Sequence, residues 1–466
     1  MDSRIKRLLK DIFIFAAGNA SSKIILLFLM PLYTTKLTTA EYGISDTLNT
    51  LIELLVPIIT LCMAEAVFRF SIETEKNTNE VAFFNGSKIM LYGFSIFTAI
   101  GVLLKLLFDY KYALVFVWML TSYSLKQFLG CYLRGIGRSM AFATSGVIGT
   151  LVLVISNIIL LVFFNQGING YLWSIVVSNV VSIIIMAVTV HPIRIICSNF
   201  KINTQEKKSV LNSMLRYSLP IIPNSISWWL NNAANKYIIL FICGSSVTGL
   251  FSAAGKVPAV INLLSNIFQQ AWQFTSAKEY DKENTSDFYT KIFSLYSPFI
   301  LLSCSFVIII NPIISSFVLQ GEFAEAQQYV PLLLFSSTLS CYSIFFGGIY
   351  TAAKKSKMLM ISTVVGAIVN IGLCIIMIPI WSVYGALIAN VISYSVVVLI
   401  RIIDSRKYVV IKHNWVLMGT SLVLVLIQSI MGLLDSSLLT SVISIMLFGF
   451  IAVVNLICQY NVRKRG

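Results

Sequence analysis

An all-α protein that crosses a membrane about fourteen times is the fold class this sequence predicts, and three observations predict it. Of the 466 residues, 57% are hydrophobic and only 11% charged, where a soluble domain carries about a quarter charged residues. The apolar runs reach the roughly 20 residues that a helix needs to cross the hydrocarbon core, which the short alternating segments of a barrel do not. The basic residues fall in short clusters between those runs, so the net charge of +15 reads as membrane topology and not as a nucleic-acid face. Disordered and fibrous chains are excluded by the same composition.

The spans are placed, in order, at 11–34, 43–67, 82–108, 112–133, 141–164, 170–190, 215–243, 247–275, 289–317, 329–352, 359–379, 384–403, 413–433 and 437–458. The basic start, Met1 to Lys10, resembles that of a signal peptide, but the following apolar run is long and lacks a small-residue cleavage site, so it is expected to stay as the first helix. Positive charge then sorts the loops. Arg4, Lys6, Arg7, Lys10, Arg69, Lys76, Arg134, Arg138, Arg194, Lys201, Lys207, Lys208, Lys278, Lys282, Lys354, Lys355, Lys357, Arg401, Arg406, Lys407, Lys412, Arg463, Lys464 and Arg465 fall on one side, against Lys36, Lys105 and Lys111 on the other. The basic side is expected to be cytoplasmic and to hold both termini. Pro220, Pro223 and Pro258 are expected to kink spans 7 and 8.

Arg138-Ser139, Ser145, Val147 and Gly149 align at one offset with Lys355-Ser356, Ser362, Val364 and Gly366, and Gly170 then aligns with Gly385. A weaker match sets Tyr42-Gly43-Ile44 against Thr248-Gly249-Leu250. Two parallel six-helix lobes follow, residues 1–190 and 215–411, joined by a cytoplasmic linker at 191–214 and followed by two further helices and a basic tail at 412–466. No extramembrane stretch is long enough for a catalytic domain, and only Glu322 and Glu325 mark the longest outer connection. The eight cysteines are scattered singly, and the two histidines, His191 and His413, sit at segment ends. No metal, redox cofactor or enzymatic role is expected from them.

Ionisable residues inside a span cost about 3 kcal/mol or more and are functional candidates by default. Lys23 lies mid-span 1, Lys236 and Lys256 lie about two turns from the outer ends of spans 7 and 8, and Lys126 lies in the inner half of span 4. Lys23, Lys236 and Lys256, with the polar Asn19 and Asn235 beside them, are read as a central cavity for an anionic substrate, pyrophosphate being a fit for clustered ammonium groups. The alternative for each lysine is snorkelling or pairing with a carboxylate. Asp46, Glu53 and Glu65 fall on span 2. Glu53 is the candidate for a coupling proton or sodium ion, and Glu65 with Arg69 has the spacing of a clasp or gate. Trp228, Trp229 and Trp272 are either sugar-stacking rings or interface anchors.

Gly18-Asn19 to Lys23, Met30-Pro31-Leu32-Tyr33-Thr34, Glu41-Tyr42-Gly43-Ile44 and Ala66-Val67-Phe68-Arg69-Phe70 resemble the first lobe of Wzx-type polysaccharide-repeat flippases. These belong to the multidrug/oligosaccharidyl-lipid/polysaccharide exporter superfamily. Asn235-Lys236-Tyr237-Ile238, Gly249-Leu250-Phe251-Ser252-Ala253-Ala254-Gly255-Lys256 and Phe268-Gln269-Gln270-Ala271-Trp272 are similar to its second lobe. The resemblance implies alternating-access transfer of an undecaprenyl-pyrophosphate-linked O-antigen or capsule unit across the bacterial inner membrane. It also implies a polysaccharide polymerase and chain-length machinery as candidate partners. That family often carries Asp-Arg where this chain has Asn235-Lys236. The alternatives are a drug or cation antiporter of the same superfamily, which would place carboxylates in the cavity, and a membrane polysaccharide polymerase.

Overall fold

A computed structural model describes residues 28–72, 76–199, 204–280, 285–353, 355–434 and 438–465. Every element among them is a helix. In order these are α1 (Met30–Lys36), α2 (Thr39–Ile59), α3 (Met63–Ser71), α4 (Lys76–Phe108), α5 (Ala113–Gly135), α6 (Ser139–Asn157, running on as a wider π-turn over Ile158–Phe163) and α7 (Gly167–Val190). Next come α8 (Pro192–Asn199), α9 (Thr204–Ser218), α10 (Ile221–Cys243), α11 (Ser245–Ala254), α12 (Ala259–Glu279) and α13 (Thr285–Val318). After a tight 3-10 segment (Gly321–Tyr329), the chain ends with α14 (Val330–Ala352), α15 (Ser356–Trp381), α16 (Val383–Ser405), α17 (Trp415–Leu434) and α18 (Leu438–Arg465).

Among the described residues nine helices are long and apolar enough to cross a membrane, or eleven if two bent pairs each count as one span. The chain is a multi-pass, all-helical membrane protein. The three remaining expected spans have local reasons for falling outside that count. Only the end of span 1 is described. Span 4 is the 23-residue α5, made less apolar by Ser122, Ser124, Lys126 and Gln127. The described apolar part of span 7 is Ala233–Cys243.

Both bent pairs fall on spans that sequence marks with proline. The α2–α3 pair bends by 62°. Pro57 has no N–H to give to the Glu53 carbonyl, and Leu61 and Cys62 then take positive φ angles of 49° and 52°, a conformation that disfavours side chains by about 1–2 kcal/mol each. The α11–α12 pair bends by 56°, just before Pro258 caps α12. Pro220 goes further than a kink: α9 stops at Ser218 and α10 starts at Ile221.

Residues 44–234 form one compact unit. Its core joins Met63, Val67, Phe83, Phe128, Tyr132, Leu133 and Met186. The described parts of the stretch read as a linker form α8 and α9, and Ile195 of α8 and Met214 of α9 are buried in that same core. Asn85 Nδ2 donates to the Lys207 carbonyl at 2.9 Å.

Residues 1–43 and 235–466 form the other unit. Its centre is the segment Gly321–Ala352, 89% buried in its most apolar stretch, against 11% for α4 in the first unit. An aromatic stack fills the space beside it. Phe268 lies 4.1 Å from Tyr296 and Trp272 4.7 Å from Phe345, ring centre to ring centre, and Trp272 Nε1 donates to the Phe345 carbonyl at 2.9 Å. Gly348 is required here, because any Cβ would strike the Trp272 ring.

The internal repeat has a counterpart in side-chain contacts. Both bounds of α14 lie 217 residues beyond those of α5. Ser178 Oγ donates to the Gly149 carbonyl at 2.8 Å, and Ser393 Oγ donates to the Gly366 carbonyl at 2.8 Å. Serine-to-backbone bonds of this kind hold membrane helices at close range.

Candidate functional site

The break between α2 and α3 borders a small, half-open pocket lined by Glu53, Val56, Pro57, Thr60, Glu65, Tyr123 and Gln127. Glu53 and Glu65 are twelve residues apart, too far to meet on a straight helix, and the 62° bend brings both carboxylates onto one pocket. Gln127 Nε2 lies 3.4 Å from Glu65 Oε1. Two carboxylates, a phenol, an amide and a threonine hydroxyl form an oxygen-rich lining that suits a proton or a monovalent cation. Arg69, four residues after Glu65, is exposed in the last turn of α3.

On the same unit, Asn49 Nδ2 reaches the Tyr171 hydroxyl at 3.4 Å and Trp229 Nε1 donates to the Thr50 carbonyl at 2.7 Å. Trp229 is thus tied to α2. Lys126 Nζ donates to Asn179 Oδ1 at 3.1 Å. Asn179 Nδ2 and Asn157 Oδ1 are buried with no hydrogen-bond partner.

In the other unit, Lys256 lies at the α11–α12 bend with its ammonium 6.0 Å from the Tyr42 ring centre. Tyr42 is held between Tyr33 at 6.4 Å and Phe323 at 5.6 Å. Asn235 is buried in a cluster of amides: its Nδ2 donates to Asn390 Oδ1 at 2.7 Å, and its Oδ1 accepts from Asn370 Nδ2 at 2.8 Å. The amide cluster ties α10 to α15 and α16. Lys236, next in sequence, is half-buried. Trp272 belongs to the aromatic stack. Lys23 and Asn19 lie outside the described residues, as does the side chain of Trp228.

Sequence reasoning missed Arg401. Counted there as a loop charge, it is only 6% exposed within the helix bundle. Its Nε donates to Ser362 Oγ at 2.9 Å, one terminal nitrogen to the Ser343 carbonyl and hydroxyl at 2.6 and 2.8 Å, and the other to Thr363 Oγ1 at 2.8 Å and the Leu359 carbonyl at 3.5 Å. All five donors of the guanidinium are used. Proximity to the end of an apolar run made a buried rivet look like a topological charge. Tyr123 and Gln127 were missed too, although their place beside Lys126 on one span was a usable signal.

These broken, charge-bearing spans sit on the fold of transporters of the multidrug/oligosaccharidyl-lipid/polysaccharide superfamily. An inward-facing MATE-family multidrug resistance transporter matches with a TM-score of 0.66 at 14% identity, over 87% of this chain and 99% of that one. The lipid II flippase MurJ in an inward closed conformation matches with a TM-score of 0.64 at 15% identity, over 95% and 98%. A superfamily transporter from Pyrococcus furiosus, described by the reversed polarity of its binding pocket, matches with a TM-score of 0.56 at 14% identity, over 87% and 96%. At such identities the likeness is one of fold. In sequence, the profile of the polysaccharide biosynthesis protein family matches residues 8–273, more than half of the chain, and the chain belongs to that family. No curated protein matches it.

Proposed function

We propose that this protein is a flippase that moves an oligosaccharide linked to a polyprenyl pyrophosphate, an O-antigen or capsule unit, from the inner to the outer leaflet of a bacterial inner membrane. The observation that carries the reading is the pair of broken helices in corresponding spans, 2 and 8, one bearing carboxylates and the other Lys256. Interrupted helices at corresponding positions of a repeat are the physical mark of a transport site, because backbone groups freed at the break and nearby charges line the path. Family membership supplies polysaccharide chemistry, and the likeness to a lipid II flippase supplies a lipid-linked oligosaccharide as the class of cargo.

In this reading Lys23, Lys236 and Lys256 receive the pyrophosphate, and Glu53 and Glu65 take up a proton or sodium ion whose gradient drives the cycle. Both termini lie in the cytoplasm, and a polymerase with its chain-length machinery takes over the product on the far side.

The test is a deletion strain. Surface polysaccharide should disappear while polyprenyl-linked oligosaccharide accumulates on the cytoplasmic leaflet. Complementation with Lys256→Ala or Lys23→Ala should fail although the protein reaches the membrane, and Lys→Arg should restore more export than Lys→Gln, since charge is what the phosphate needs. Normal polysaccharide in the alanine variants would remove the cationic site. The pocket of Glu53 and Glu65 favours one second reading, a cation-coupled drug antiporter, which unchanged polysaccharide together with new drug sensitivity would select.

A further inference from the structure

The corner that joins α7 to α8 gathers bases on the rim of the first unit. Arg138, at the start of α6, reaches over to the end of α7, where its guanidinium donates to the Thr189 carbonyl at 3.0 Å. His191 turns the chain there in the left-handed conformation, with φ 53°, and Arg194 stands one turn later on α8. All three side chains are exposed. Beside them three apolar side chains are exposed as well, Met140 by 78%, Val188 by 68% and Ile193 by 76%.

The two arginines have donors to spare. Arg138 gives one of its five to Thr189, and among the described residues no carboxylate pairs with Arg138 or Arg194. Glu80 of α4 meets α8 at Ser198 instead, whose hydroxyl it accepts at 3.3 Å. Arg134, one turn before Arg138, is engaged elsewhere, over the rings of Phe68 and Phe142 at 5.6 and 4.8 Å.

The repeat supplies a comparison within the same chain. At the offsets that relate Gly149 to Gly366 and Ser178 to Ser393, Arg138 corresponds to Lys355, His191 to Arg406 and Val188 to Ile403. Bases and an exposed apolar residue thus recur, Ile403 being 66% exposed. In this second corner the cations are occupied. The Arg406 guanidinium lies 5.7 Å from the Trp415 ring centre, Asp404 replaces Thr189 and pairs with Lys407 at 2.7 Å, and buried Val409 stands where the first corner has Arg194.

Unpaired cations beside lipid-exposed apolar side chains match the membrane interface, where phosphates meet acyl chains. A free phosphate would have no contact to make with Met140, Val188 or Ile193. The corner also faces bulk lipid, since α6 is only 17% buried in its most apolar stretch. We propose that the α7–α8 corner binds an acidic glycerophospholipid, with Arg138 and Arg194 on its phosphodiester, His191 beside them, and Met140, Val188 and Ile193 along its acyl chains. The site is independent of the transport reading, because lipid is bound whether or not anything is exported.

The test titrates full-length protein in neutral detergent with dioleoylphosphatidylglycerol and counts bound lipids by native mass spectrometry. Arg138→Gln with Arg194→Gln should weaken the tightest binding about thirtyfold, whereas Lys355→Gln with Arg406→Gln should leave it within about twofold. Arg194→Gln alone should weaken it about fivefold. That single variant leaves the bond from Arg138 to Thr189 in place, so its effect does not come from a damaged helix corner.

Unchanged affinity in the first double variant overturns the site, and equal losses in the two double variants reduce it to general surface charge. Dioleoylphosphatidylcholine binding as tightly as phosphatidylglycerol overturns the acidic headgroup. Inorganic phosphate displacing the lipid at equal concentration overturns the part given to the acyl chains. A polyprenyl pyrophosphate that displaces phosphatidylglycerol at much lower concentration overturns the assignment to bulk lipid and gives the corner to the cargo.

Discussion

The two copies of the repeat hold a cation in related places by opposite means. In the first copy Lys126 of α5 reaches across to Asn179 of α7 with a single bond. In the second, the residue 217 positions beyond Lys126 is Ser343, and it receives a cation from the other side: Arg401 of α16. The position in α7 matching Arg401 at the Gly170–Gly385 offset is Met186, a buried core residue. Duplication kept the close helix contact, serine to glycine carbonyl, in both copies, while the charge moved from one partner helix to the other. The Arg401 guanidinium has all five donors satisfied. Buried polar atoms without partners occur in both units, on Asn157 and Asn179 in one and on Ser252 Oγ, Thr275 Oγ1 and Asp404 Oδ2 in the other, so what sets the first unit apart is the pocket of Glu53 and Glu65.

The largest expected effect breaks the comparison most directly. Arg401→Leu removes five hydrogen bonds and leaves the Ser343 hydroxyl without its cation, while Ser362 and Thr363 keep their bonds to the Leu359 carbonyl; it should cost about 2–3 kcal/mol, seen as a fall in melting temperature in detergent. Lys126→Leu should cost under about 1 kcal/mol and lower export instead. Equal melting temperatures for the two variants would erase the distinction between the two ways of holding a cation.

The second unit also carries a group sensitive to acid. His413, just before α17, packs edge-on against Phe293 at 4.9 Å between ring centres, and burial pushes its pKa down to about 4. The folded state thus binds this proton less readily than the unfolded chain does. The contribution is fully present above the unfolded value of about 6.5 and is lost as pH falls towards about 4, amounting to roughly 3 kcal/mol over the window. Melting measured between pH 7.5 and pH 4.5 should fall, and His413→Phe should flatten the part due to this residue. An unchanged slope in that variant would assign the acid sensitivity elsewhere.

The smallest effect sharpens the likeness between the copies. Ser178→Ala and Ser393→Ala remove the same bond from equivalent places, and each should cost about 0.5–1 kcal/mol. A difference beyond twofold between their melting shifts would show that the shared contact has diverged as well.

Much of this was legible in the sequence. Apolar run lengths located the spans, Pro57, Pro220 and Pro258 stood at or near the breaks, and the spacing of Ser145, Gly149, Ser362 and Gly366 announced the repeat. What stayed hidden were meetings between distant residues. Periodicity tells which face of a helix is apolar, not which helix it will meet, so nothing in the chain placed Asn370 at Asn235. Arg401 was hidden for a different reason. A buried arginine and a topological one occupy the same kind of place, the end of an apolar run, and only the neighbours tell them apart.

Helices α8 and α9 constrain how such a gene can change. With Ile195 and Met214 set into the core and Asn85 gripping the Lys207 carbonyl, α8 and α9 are packed parts of their unit. An insertion or a split point placed within those two helices would remove interior contacts, whereas tolerated insertions belong at exposed turns with few contacts. Lengthening and recombination are therefore expected at turns such as Asp109 to Tyr112.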